Sequence, residues 1–303
     1  MSLSWNLVRL DTLGALRLRG ADVSRFLQGQ LSNDMTRLGA QRALLAGYHN
    51  AQGRAIALLR LVQLGADDVL AVLPRELVAP VAARLGKFVL RAKVHLQDES
   101  PQWSLEGALA SAATDIEAQP HVPAARDAVA RAGDTLIVRC SQAPARFLLI
   151  RPAGAPATLE GLAPLSLVDW QLAAIAAGEP QVYAATSEQF VAQMLNLDLL
   201  DGIAFDKGCY TGQEVIARAH YRGRVKRRMQ RFLSGAAREL RPGDAGTLAD
   251  GRAFKVIEAA RRADGNCEFL AVAALAADPA AAAEAAGEPL VASALPLPYE
   301  LPQ

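Results

Sequence analysis

The chain has 303 residues, 51% hydrophobic and 21% charged, an ordinary globular composition that excludes disorder over most of its length. It exceeds the roughly 250–300 residues at which one core stops growing, so two or more packed subdomains are expected. Lys and Arg number 32 against 31 Asp and Glu, a net charge of +1, which excludes a global field toward nucleic acid or an anionic membrane and leaves only local attraction.

In chain order, residues 15–19 (ALRLR) alternate as a half-buried strand. Asp22 then offers a side-chain oxygen to cap a short helix through Ser24, Phe26, Leu27 and Gln30. Strands are expected at 44–49, 55–64 and 69–73, a helix at 75–88 from the spacing of Leu77, Val78, Val81 and Leu85, and a strand at 94–97. This alternation predicts an α+β or α/β layer with helices covering one face of a sheet. Between 111 and 133 the chain turns rich in Ala, Pro and short polar residues, which predicts a loosely specified surface excursion without function. Strands resume at 135–140 and 147–151, a helix follows at 166–177 with Gly178 and Pro180 beyond it, and 196–214 is expected to be mostly loop. From Val225 onward, turns at Arg241-Pro242-Gly243-Asp244, Asp250-Gly251 and Asp264-Gly265-Asn266 separate short strands and predict a small all-β domain, with the alanine-rich run 280–286 as exposed helix or loop.

No apolar run reaches about 18 residues without a charge, and the start MSLSWNLVRLD has neither the basic nor the apolar region of a signal peptide. A cytoplasmic protein is expected. Cys140, Cys209 and Cys267 are odd in number and lack C-x-x-C spacing, which argues against a disulfide framework or a closed zinc site, and no metal ligands are assigned. Cys140 and Cys267 fall in strand segments and are expected to be structural. Cys209 differs, because Asp206-Lys207-Gly208-Cys209-Tyr210-Thr211-Gly212-Gln213-Glu214 holds its thiol between two glycines, framed by a lysine and a carboxylate. The glycines permit conformations closed to other residues, and an expected helix at 213–220 turns its first N–H groups toward any anion. An ammonium and a helix N-terminus both favour thiolate at Cys209. A glycine-rich turn around an inert buried cysteine is the alternative, and chemistry alone leaves both open.

The run KGCYTGQE, followed by Arg218, Tyr221, Arg222 and Gly223, resembles the signature of the YgfZ family of folate-binding proteins, which are related to the glycine cleavage T protein, an aminomethyltransferase. Gly20-Ala21-Asp22 with Phe26-Leu27-Gln28-Gly29-Gln30-Leu31-Ser32-Asn33-Asp34 is similar to the family's opening segment, and Gly47-Tyr48-His49-Asn50 with Gly53-Arg54 to its second. Leu90-Arg91-Ala92-Lys93-Val94, Ala177-Gly178, Asn196-Leu197, Gly202-Ile203-Ala204-Phe205 and Leu295-Pro296-Leu297-Pro298-Tyr299 keep the family's order and spacing. The resemblance spans nearly the whole chain.

It implies an α+β, T-protein-like fold: intertwined subdomains of roughly 1–100 and 101–223 around a central cavity for tetrahydrofolate or a derivative, then a C-terminal β-barrel at 224–303. It also implies assembly or repair of iron–sulfur clusters, including those of enzymes that modify tRNA, with mitochondrial assembly factors as relatives. The implied partners are iron–sulfur enzymes or cluster carriers, not membranes. Cys209 is the expected reactive thiol with Lys207 beside it. Trp170, Tyr210 and Gly208 are the expected folate contacts, together with Gln213, Glu214, Arg218 and Arg222.

A pterin needs a flat apolar slot and a few polar groups, and Trp170 on the 166–177 helix matches a folate-contacting tryptophan of the family. The chain also departs from the pattern. An aromatic that some relatives place near the first strand is Leu13 here, and the arginine and glutamate of T proteins align with Ala174 and Ala176. Losing such a charge-assisted pair costs roughly 1.5–3 kcal/mol, about tenfold to a hundredfold in affinity. The essential T-protein aspartate falls in a segment that reads GRAIALLRLVQ, with Ala57 or Leu58 in its place, so glycine cleavage activity is not expected. His49 is the one nearby histidine available as a base, and it reads first as a polar strand residue.

Residues 215–237 contain no acid, while Arg218, Arg222, Arg224, Lys226, Arg227, Arg228 and Arg231 supply seven cations, plus His220. They suit the tail of a polyglutamyl folate, an RNA backbone, or a solvated face of the first barrel strand. Direct tRNA contact ranks last, because no cluster of stacking aromatics is expected beside these arginines. The leading reading is a folate-dependent accessory factor for iron–sulfur proteins; the alternative is a folate-dependent one-carbon transferase or demethylase acting on a small amine.

Overall fold

The computed structural model describes residues 5–110, 122–156, 163–223, 225–235, 239–276 and 289–302; Arg224, the run 280–286 and residues 111–121 lie outside them. The elements run β1 (Trp5–Arg9), β2 (Leu13–Arg19), α1 (Val23–Gln28), β3 (Leu44–His49), β4 (Ala55–Gly65), β5 (Asp68–Pro74), α2 (Arg75–Gly86), β6 (His95–Asp98), β7 (Trp103–Ala110), β8 (Val129–Ala132), β9 (Thr135–Ser141) and β10 (Arg146–Pro152). There follow β11 (Ala163–Pro164), α3 (Leu167–Ala176), α4 (Gln213–Tyr221), β12 (Arg227–Ser234), β13 (Ala245–Thr247), β14 (Ala253–Arg261), β15 (Cys267–Ala274) and β16 (Ala292–Leu295).

The strands form three sheets among the described residues, in the orders β3-β4-β5-β2-β6, β11-β1-β7-β10-β9-β8 and β13-β14-β15-β12-β16. The run of β4, apolar but for Arg60 as far as Val62 and buried throughout that length, reflects a strand covered on both faces. Leu59 and Leu61 share a cluster with Leu77, Val78 and Val81 of α2. Val62, with Val72 of β5, packs instead with Leu136, Val138 and Leu148 of the second sheet. The earliest described strand, β1, is antiparallel to β7 and parallel to β11, so the second sheet interleaves segments far apart in sequence. In the third sheet, Leu290 N donates to Thr247 O (2.7 Å) and Ala249 N to Leu290 O (3.0 Å), which joins the β13 and β16 edges and closes the strands on Phe232, Phe254 and Phe269.

Three expectations change. Asp22 makes no side-chain bond to α1; its carboxylate accepts from Lys93 N (2.8 Å), tying the helix start to the approach to β6. The described part of the 111–133 excursion is ordered, containing β8 and the buried Asp127, which is ion-paired with Arg60. The strand β7 was not expected, because Glu106 interrupts its apolar pattern; Arg151 neutralises that carboxylate (2.9 Å). Other expectations meet in space: the Tyr299 hydroxyl donates to Gly178 O (2.7 Å) and accepts from Asn196 Nδ2 (3.2 Å), drawing three separated family segments together. Among the described residues no helix is long and apolar enough to cross a membrane.

Candidate functional site

The three sheets meet around one cavity of about 100 Å³. Leu13, Leu58 and Leu148 supply apolar wall, Trp170 and Ala174 come from α3, and Glu258 reaches in from the barrel. Helix α3 is held for this by local chemistry: the Ser166 hydroxyl oxygen accepts from Asp169 N (3.0 Å) at its start, and its body packs on β14. Trp170 is 8% exposed, and β7 makes room for it with Gly107, where a Cβ would stand 2.7 Å from the indole. Glu258 follows an irregularity in the pairing of β14 with β15, the kind of bulge that re-aims a side chain.

The cavity holds charges that sequence reasoning missed. Glu179 accepts from Arg60 (2.9 Å) and Arg146 (3.3 Å), and Arg60 also pairs with Asp127. Burial alone would raise the Glu179 pKa, but the two guanidinium charges outweigh it and hold the carboxyl at about 2. Glu258 has no ion-pair partner among the described residues; it accepts from the Tyr183 hydroxyl, and burial pushes it up to about 7 against that bond, one from Ala259 N and the charge of Arg146. One carboxylate is thus fixed as an anion while the other is poised to change charge near neutrality. The Arg146 guanidinium lies over the Trp170 ring, 4.1 Å from its centroid, and its Nε is buried with no hydrogen-bond partner among the described residues. The clue in the sequence was Arg60, a lone charge inside an otherwise apolar strand, which demands a buried partner.

Of the expected folate contacts, only Trp170 lines this cavity, joined by Leu13 and Ala174 but not Ala176. The Cys209 loop lies elsewhere. Cys209 is exposed with a free thiol, which excludes the inert buried cysteine. Lys207 is not free to act on it: its ammonium donates to the carbonyls of Gln28 (2.7 Å), Leu31 (2.7 Å) and Asn33 (2.8 Å) and so anchors the loop to the turn after α1. Burial lowers the Lys207 pKa to about 8 against the opposing charge of Asp34. Tyr210 is buried beneath that ammonium, 5.0 Å from ring centroid to Nζ, and burial raises its hydroxyl to about 12. Gly212, at φ 85°, could bear no side chain, since a Cβ would meet Asn50 O at 2.5 Å, whereas Gly208 faces open space. Gln213 is half-buried at the start of α4, and Glu214, Arg218 and Arg222 are exposed along it. His49 is fully buried on the same face of β3 as Gly47, both ring nitrogens lack a partner among the described residues, and burial lowers its pKa to about 4.

No protein-family model matches the chain. Its fold is that of the aminomethyltransferases of the T-protein class: it is similar to the crystal structure of glycine cleavage system aminomethyltransferase T from Bartonella henselae, with TM-score 0.68 over 90% of this chain and 79% of that one at 14% identity. In sequence it is 34% identical over 239 residues to the tRNA-modifying protein YgfZ of Yersinia pestis (strain Pestoides F), covering 77% of this chain and 72% of the relative. It is also 34% identical over 241 residues to that of Escherichia coli O157:H7 (strain EC4115 / EHEC), covering 77% and 73%. The chain belongs to the YgfZ family.

Proposed function

We propose that this protein is a cytoplasmic, folate-binding accessory factor for iron–sulfur proteins, among them enzymes that modify tRNA. The observation that carries the reading is the cavity beside Trp170, where all three sheets of a T-protein-like fold converge. Its residues fit a reduced folate in kind. Leu13, Leu58 and Leu148 are apolar wall, Glu258 and Gln171 would accept from or donate to the ring edge, and the unpartnered Nε of Arg146 awaits an acceptor. At about 100 Å³ the cavity is smaller than the roughly 300–1,000 Å³ typical of drug-sized ligands. Binding would therefore require the cavity lining to open around the ring. The bound folate would supply a one-carbon or redox-active ring; the protein's part is to stack it, pair its edge and exclude water. The exposed Cys209 is the group available to a client protein, and it is not among the residues that line the cavity.

Calorimetric titration with tetrahydrofolate, alongside complementation of a strain lacking its YgfZ protein, tests this. Wild type is expected to bind and rescue, Trp170→Ala to lose at least tenfold in affinity, and Cys209→Ala to bind normally without rescue. Absence of any binding heat with the wild-type protein would refute the folate reading.

A further inference from the structure

The basic segment divides when its partners are followed. Arg228 is buried in an ion pair with Asp198 (2.8 Å), and Arg231 is paired with Glu268 (2.6 Å). Arg218, Arg222, Lys226 and Arg227 are exposed, and none has an ion-pair partner among the described residues. On α4, Arg218 and Tyr221 stand at i and i+3 and so share one face, opposite the buried Ile216, and Arg222 follows as the C-cap; with Ala217 these three line an open depression.

Aromatic side chains, not expected here, complete the surface. His220 stacks on Phe205 with ring centroids 3.7 Å apart and planes 16° from parallel, and Tyr221 stands edge-on to both at 4.7 Å and 6.2 Å. Tyr221 is 67% exposed. Its ring is braced by two aromatic neighbours, flanked by two arginines, and left largely open to solvent.

We propose that this face of α4 binds an unpaired stretch of RNA, with Arg218 and Arg222 on its phosphates and a base stacked on Tyr221. Guanidinium groups alone suit any polyanion, an acidic protein included. The face of a braced, exposed ring between them offers a stacking platform to a nucleobase that a carboxylate cannot use. A base within an A-form duplex keeps its faces covered, so the ring selects loops and single strands. Unpaired DNA shares this chemistry; the choice of RNA rests on the proposed role in tRNA modification. The surface is separate from the cavity lining, so folate and RNA binding are expected to be independent.

The test uses the full chain and three labelled probes: an RNA stem–loop, the same sequence as DNA, and polyglutamate as an acidic polymer without bases. Binding of the stem–loop should weaken about 5- to 150-fold in Tyr221→Ala and persist in Tyr221→Phe. The double variant Arg218→Gln/Arg222→Gln should reduce the slope of log affinity against log salt by about 1.4, two contacts at about 0.7 each. Tetrahydrofolate titration of each variant should match wild type, which reports an intact fold and keeps this proposal separable from the folate reading. Equal binding of polyglutamate and RNA with no effect of Tyr221→Ala would overturn it in favour of an acidic protein partner. No RNA binding at low salt, or tighter binding of the DNA, would also overturn it.

Discussion

The cavity and the α4 ridge both hold arginines, yet the two sets do opposite work. In the cavity, Arg60 and Arg146 converge on Glu179 and are matched by buried carboxylates; on the ridge, Arg218 and Arg222 face water without ion-pair partners among the described residues. A buried charge must be matched within the fold, whereas an exposed one can be kept for a ligand. Charge in the sequence therefore indicates function only after its burial is known.

Four substitutions sharpen this contrast, beginning with the largest effect. Glu179→Ala should leave the buried Arg146 guanidinium without its ion-pair partner and Arg60 with Asp127 alone, and cost about 3–5 kcal/mol in denaturant unfolding; a loss under about 1 kcal/mol would mean that water reaches the cavity and screens it. Lys207→Met strips three carbonyls of a charged donor and should cost about 3 kcal/mol. If it proves neutral for stability yet abolishes rescue, Lys207 acts in chemistry and not as an anchor.

Glu258→Gln tests the second cavity carboxylate through pH. With its pKa raised from 4.5 to about 7, the folded protein keeps a proton that the unfolded chain has lost. Its contribution is present below pH 4.5 and lost as pH rises through 7, on the order of 3 kcal/mol in total. His49, lowered from 6.5 to about 4, runs the other way: its contribution is present above pH 6.5 and lost as pH falls through 4. Wild type should therefore show a muted profile over that overlap, while Glu258→Gln gains stability relative to wild type as pH is raised from 4.5 to 7. Parallel wild-type and variant curves would place Glu258 in contact with solvent. The smallest effect belongs to Cys209→Ala, an exposed position expected to stay within about 0.5 kcal/mol of wild type; marked destabilisation would show the thiol to be part of the packing.

Much of the architecture was legible locally. Strand β3 was expected at its observed limits, and α3 was anticipated at 166–177 with its stop at Gly178 and Pro180 beyond. The strand β7 escaped because Glu106 breaks its alternation, and its compensation by Arg151 comes from 45 residues away. The candidate site was legible only in pieces. Trp170, Leu13 and Cys209 were each singled out, but the aromatic group around Tyr221 was missed because Phe205 lies in a loop whose path to His220 no periodicity reveals.

By itself, the sequence determined many of the strands and helices, where the KGCYTGQE turn falls and to which family the chain belongs, because periodicity, capping and motif spacing act over a few residues. Tertiary structure alone decided that Trp170 and Cys209 occupy separate places, that the Lys207 ammonium turns to backbone carbonyls, and that Arg60 meets Glu179 across 119 residues. Burial and charge pairing depend on which surfaces the sheets bring face to face, and no local pattern records that choice.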